Sequence, residues 1–111
     1  MAKLVCSLNG NFDEILNNIN DGILRGSVSA SYEDGYDFNE DGVRCAVRVY
    51  ERYSYFGNNR VSLNITLLQA SGEIRICAVT SGGSQAMFWK INTVRENTFL
   101  DKLEEVIRPY R

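Results

Sequence analysis

Residues 39–50 read Asn39-Glu40-Asp41-Gly42-Val43-Arg44-Cys45-Ala46-Val47-Arg48-Val49-Tyr50, an Asp-Gly turn running directly into a strict alternation. Asp-Gly is favoured in tight hairpins because both central residues must take positive φ. After it, Val43, Cys45, Val47 and Val49 point one way and Arg44, Ala46, Arg48 and Tyr50 the other, the period of a strand. The pattern extends toward Tyr55. Gly57-Asn58-Asn59 supplies the next turn, and Val61, Leu63, Ile65 and Leu67 then oppose Ser62, Asn64 and Thr66. Ser71-Gly72 turns the chain once more into Ile74, Ile76 and Ala78 opposite Arg75, Cys77 and Val79. Hairpins in succession predict an antiparallel meander.

Upstream, Ser27 to Glu33 alternates with Val28, Ala30 and Tyr32 on one side, which predicts a strand ending at Glu33-Asp34-Gly35. Before it, Phe12, Ile15, Leu16, Ile19, Ile23 and Leu24 form one helical stripe. Asn11 with Glu14 three residues on has capping-box spacing, and Gly26 suits a left-handed C-terminal cap. Lys3 to Leu8 alternates again, with Leu4, Cys6 and Leu8 inward. Downstream, Ser81 to Gln85 has loop composition, and Ala86 to Val94 fits an extended piece as well as a helical turn. Asn97 or Thr98 can cap a last helix with the stripe Phe99, Leu100, Leu103, Val106 and Ile107, stopped at Pro109. The expectation is one α+β domain over residues 1–111, ordered β-α-β-β-β-β-α. It is a twisted antiparallel sheet of four to five strands with two helices packed on one face.

The chain has 111 residues, so a single hydrophobic core is the economical solution, and its size suffices without disulfide or metal. A net charge of −2 argues against a nonspecific polyanion binder, so nucleic acid is not an expected partner. Apolar runs are far shorter than the roughly 20 residues of a membrane helix, and the start lacks a signal-peptide core. A cytoplasmic location with no membrane association is expected. Three cysteines without a close pair predict free thiols, with Cys6 and Cys45 in the core.

Candidate chemistry is sparse. The chain has no histidine, which removes Ser-His-Asp, Cys-His and histidine-metal sites, and no cofactor or metal is expected. Gly82, Gly83, Ser84 and Gln85 could offer backbone amides to an anion, but their spacing matches no phosphate-binding fingerprint. Trp89 and Lys90 stand beside that loop and could line a pocket with it. Arg44, Arg48 and Arg52 fall at even spacing along one strand, with Tyr50 among them and Arg75 able to join from the last strand. Such a stripe could meet an anionic small molecule or an acidic protein partner.

The string GGSQAMFWKINT (82–93) with the acidic helix after it resembles a small bacterial family of unknown function, domain-of-unknown-function family 6054; the resemblance implies no activity. The order of elements resembles the TATA-binding-protein-like or helix-grip arrangement, a likeness of topology only. The favoured expectation is a non-enzymatic binding or assembly module, a homodimer acting through an arginine-bearing sheet face. A small-ligand carrier or enzyme subunit with a pocket near Gly82-Gly83 and Trp89 is the alternative. Nucleic-acid contact through the sheet face is the weaker one.

Overall fold

The structure is a computed structural model, and it describes residues 2–53, 59–82 and 99–111. Its elements are β1 (Lys3–Leu8), α1 (Phe12–Arg25), β2 (Ser31–Glu40), β3 (Val43–Tyr53), β4 (Arg60–Ala70), β5 (Glu73–Gly82) and α2 (Phe99–Ile107). A short 3-10 turn, Arg108–Tyr110, follows α2 and contains Pro109. The chain is therefore α+β, with five antiparallel strands in the order β1-β5-β4-β3-β2.

Local chemistry explains the turns. Asp41 and Gly42 have φ of 51° and 78°, and Ser71 and Gly72 of 53° and 79°, so both tight hairpins are built on consecutive positive-φ residues. That geometry matches the right-handed twist of the strands it joins. Asn11 caps α1, its side chain accepting from the Glu14 amide at 2.9 Å. Gly26 departs from expectation: its φ of −76° is right-handed, and α1 ends without a left-handed cap.

Strand β2 departs further. The expected turn at Glu33-Asp34-Gly35 lies inside the strand, where a bulge between Tyr32 and Asp34 shifts the register against β3. Gly35 is there for closeness and not for turning, since a Cβ on it would sit 2.6 Å from the Val47 carbonyl oxygen. The strand then continues through Tyr36 and Phe38 to the Asp41-Gly42 hairpin. At the other end of the meander, Ser81 and Gly82 belong to β5 and pair with Ser62 and Val61.

One core lies between the sheet and the helices. Phe12, Ile15, Ile19 and Ile23 of α1 and Phe99, Leu103 and Ile107 of α2 are buried against Leu63, Ile65 and Leu67 of β4 and Ile74, Ile76 and Ala78 of β5. Each fully buried side chain of this size contributes about 1.5–3 kcal/mol. Strand β3 enters the same core through Ala46 and Tyr50, because the register sets Ala46 opposite Leu67 and Tyr50 opposite Leu63. The parity of β3 is thus the reverse of the expected one. Val43, Cys45, Val47 and Val49 face away from the helices, and Cys45 is not a core residue.

Candidate functional site

The reversal of β3 relocates the arginine stripe. Arg44, Arg48, Tyr50 and Arg52 lie on the helix side of the sheet, while Arg75, opposite Leu68 and Ser7, lies on the other face. The structure does not bring the four arginines together.

Their surroundings explain why a charged row can share a face with the core. Arg44 and Arg52 stand near the two ends of β3, each against an aromatic ring of a helix. The Arg44 guanidinium covers the Phe12 ring at 4.3 Å and makes a double hydrogen bond to Asp13, at 2.7 and 3.1 Å. That bond holds the Asp13 carboxyl below the usual carboxylate range. Arg52 covers the Phe99 ring of α2 at 4.8 Å and is itself buried. Arg48 lies toward the β2 margin, donating to the Val47 carbonyl at 2.9 Å and pairing with Asp37 at 2.9 Å. Long aliphatic stems lie along apolar surface while the charged heads reach its margin.

Tyr50 is fully buried between them. Its hydroxyl donates to Asn20 Oδ1 at 2.9 Å, and its ring meets Tyr32 edge-on at 5.8 Å. Burial pushes the phenol up to about 12, with Arg48 pulling the other way. An unfolded phenol ionises near 10, so above about pH 10 the unfolded chain loses this proton first. Stability contributed by the protonated phenol is therefore complete below about pH 10 and is lost as pH rises toward the folded value. Urea midpoints followed from neutral pH to about pH 12 should fall more steeply for the wild type than for Tyr50→Phe; parallel curves would contradict the burial of this hydroxyl.

Arg48 lines a shallow cleft of about 470 Å³ together with Leu16, Asn17, Asn20, Leu24 and Tyr32, between α1 and the β2 margin. Two helices, each about 10 Å across, span less than five strands spaced about 4.8 Å apart, and among the described residues neither helix reaches over β2 on this side. The cleft offers amide, phenol and guanidinium groups over an apolar floor.

The opposite face of the sheet carries no element among the described residues. Register aligns its side chains in rows across the strands. Ser7, Arg75, Leu68, Cys45 and Phe38 form one row, and Val5, Cys77, Thr66, Val47 and Tyr36 the next. Tyr36 is 65% exposed, Phe38 and Val5 each 52%, and the Tyr36 and Phe38 rings meet edge-on at 4.8 Å. Cys6, Cys45 and Cys77 are all free thiols.

Sequence reasoning misses Tyr36 and Phe38, because Glu33-Asp34-Gly35 has the composition of a turn. The signal that finds them is the alternation Tyr36-Asp37-Phe38 leading into the Asp41-Gly42 hairpin. Of the loop candidates, Gly82 ends β5 with φ of 96°, and a Cβ there would sit 2.7 Å from the Arg60 carbonyl oxygen. Gly83, Ser84, Gln85, Trp89 and Lys90 lie outside the described residues, as does the proposed cap at Asn97 or Thr98. Among the described residues no helix is long and apolar enough to cross a membrane. None of them form a metal-binding cluster either.

Comparison with known proteins places the fold more than the function. No curated protein matches the chain. Among solved structures, the chain is similar to PA94, a protein of unknown function from Pseudomonas aeruginosa, with a TM-score of 0.52 over 85% of this chain and 76% of that one. The identity is 9%, so the likeness concerns the fold alone. All of the chain, residues 1–111, matches a family of unknown function, and the protein is accordingly a member of the DUF6054 family.

Proposed function

We propose that the protein is a non-enzymatic assembly or binding module whose open sheet face receives a second protein surface, in the first place another copy of itself. One observation supports this reading above the others: the face opposite the helices joins exposed Val5, Tyr36, Phe38 and Val43 to half-buried Cys45, Val47, Val49, Leu68, Cys77 and Val79. Soluble monomers seldom expose a contiguous apolar patch much beyond a few hundred Å². Four strands of ten or eleven residues and the six-residue β1, spaced about 4.8 Å apart, present roughly 750 Å², close to the share each partner buries in a standard interface.

The cleft beside Arg48 supports a second reading, a site for a small polar ligand, since its volume falls in the range of small-molecule sites. The Arg48 guanidinium is already engaged by Asp37 and the Val47 carbonyl, so an anion there would compete with groups in place. The sheet face is preferred on that ground.

Sedimentation at micromolar concentration tests the preferred reading, with a dimer expected. Val47→Asp sets a carboxylate in the middle of the face without touching the core, and dissociation should become at least about 100-fold easier while the circular dichroism stays native. A wild-type monomer, or a dimer indifferent to Val47→Asp, would sink it.

A further inference from the structure

Charge is not spread evenly over the open face. A third row runs Lys3, Val79, Asn64, Val49 and Asp34, with a cation on the β1 strand and a carboxylate on the β2 strand. Next to β1, strand β5 carries both Arg75 and Glu73 on this face, and Glu40, opposite Val43, adds a second carboxylate on β2. Among the described residues none of these five charges is in an ion pair. The Lys3 row therefore has an unpaired cation at its β1 end and an unpaired carboxylate at its β2 end, with Val79, Asn64 and Val49 between.

We propose that two copies of the chain pack open face to open face about a twofold axis parallel to the strands. The β1 edge of each copy then lies over the β2 edge of the other, and Lys3 faces Asp34 of the partner subunit. The inference rests on the open face being an interface.

Symmetry does most of the selecting. A self-complementary pair needs a twofold axis, and two orientations in the plane of the face keep the sheets aligned. An axis perpendicular to the strands lays β1 over β1 and β2 over β2, so Lys3 meets no β2 carboxylate and the β2 acids Asp34 and Glu40 gather along one margin. The parallel axis brings unlike margins together, twice, and keeps each row over its own counterpart, so Lys3 and Asp34 meet at the same height. Aligned sheets pack about 10 Å apart with strands within about 30° of each other, a gap that a lysine side chain spans. Edge-to-edge pairing of two β2 strands competes poorly, because it would bring Glu33, Asp34, Asp37 and Glu40 of both copies together.

The full chain carries the test, with the dimer dissociation constant measured by sedimentation or dilution calorimetry. Lys3→Asp and Asp34→Lys should each weaken the dimer roughly tenfold, since both symmetry-related pairs change from attraction to repulsion. The double variant Lys3→Asp/Asp34→Lys should return to within about threefold of wild type. Asp34 also accepts from the Gly35 amide at 2.8 Å, so Lys3→Asp is the cleaner single change. A wild-type dimer that both single variants leave unchanged, or a double variant as weak as the singles, overturns this arrangement while the face reading stands. A wild-type monomer overturns both.

Discussion

Replacing Tyr50 by Ala is expected to remove about 3–5 kcal/mol of stability, whereas Tyr50→Phe should remove only about 0.5–1.5 kcal/mol. The two numbers separate the ring from its hydroxyl. The ring is fully buried where β3 joins the core, opposite Leu63, and Tyr32 closes over its edge. Truncation to Ala leaves a cavity too well supported by neighbouring strands to collapse, which places it at the costly end for aromatic residues. Loss of the hydroxyl alone removes one hydrogen bond to Asn20 and leaves that amide oxygen open to the cleft it lines, where water can reach it. Urea midpoints measure both changes. A surface tyrosine would lose less than about 1 kcal/mol in either variant, so a small effect of Tyr50→Ala would place the residue back on the open face.

Leu103→Ala should cost about 2–5 kcal/mol. Helix α2 is nine residues long, too short to be stable by its own hydrogen bonds, and it exists through the packing of Phe99, Leu103 and Ile107. Leu103 is the middle of that stripe and is fully buried. The two helices also touch closely: a Cβ added to Gly22 of α1 would collide with the Val106 Cγ2 of α2. Slack left by Leu103→Ala therefore cannot be taken up by moving α2 toward α1 without a clash at Val106. Glu105→Ala, on the exposed side of the helix, should stay within about 0.5 kcal/mol and serves as the control. If the two variants unfold at the same urea concentration, α2 does not pack as described.

A domain stable by about 5–15 kcal/mol can lose a third or more of its margin through either change. Both residues lie on the helix side of the sheet, so neither effect depends on the state of the open face. This makes the stability series a test of the core alone. The dissociation constants of the Lys3, Asp34 and Val47 variants test the other face.

The order of elements was legible in the sequence wherever one periodic pattern dominated. The α1 stripe from Phe12 to Ile23 has one apolar side, and α2 repeats the arrangement at Phe99, Leu103 and Ile107. In β4 and β5, Leu63, Ile65, Leu67, Ile74 and Ile76 alternate with polar residues, so their inward side has one answer. The hairpins at Asp41-Gly42 and Ser71-Gly72 follow from residues that tolerate positive φ. Strand β2 was half legible. Its acids and glycine imitate a turn, and only pairing with β3 turns Gly35 into a place of close backbone approach.

Which side of β3 faces the helices was decided by tertiary structure alone. Both sides of VRCAVRVYERY can be buried, one with valines and Cys45, the other with Ala46, Tyr50 and arginine stems. Period-two reasoning prefers the valines, because it scores each residue by type and does not see what stands above it. The ladder to β4 ties Tyr50 to Leu63 and Ala46 to Leu67, and Phe12, Asp13, Asn20 and Phe99 on the helices provide partners for Arg44, Tyr50 and Arg52. A charged side chain can border a core when a ring or a carboxylate waits at its margin, and those partners are at least 30 residues away along the chain in every case. Local patterns suffice for the elements, their order and the α+β class; the assignment of faces, and with it the apolar open surface, needs contacts that no local pattern contains.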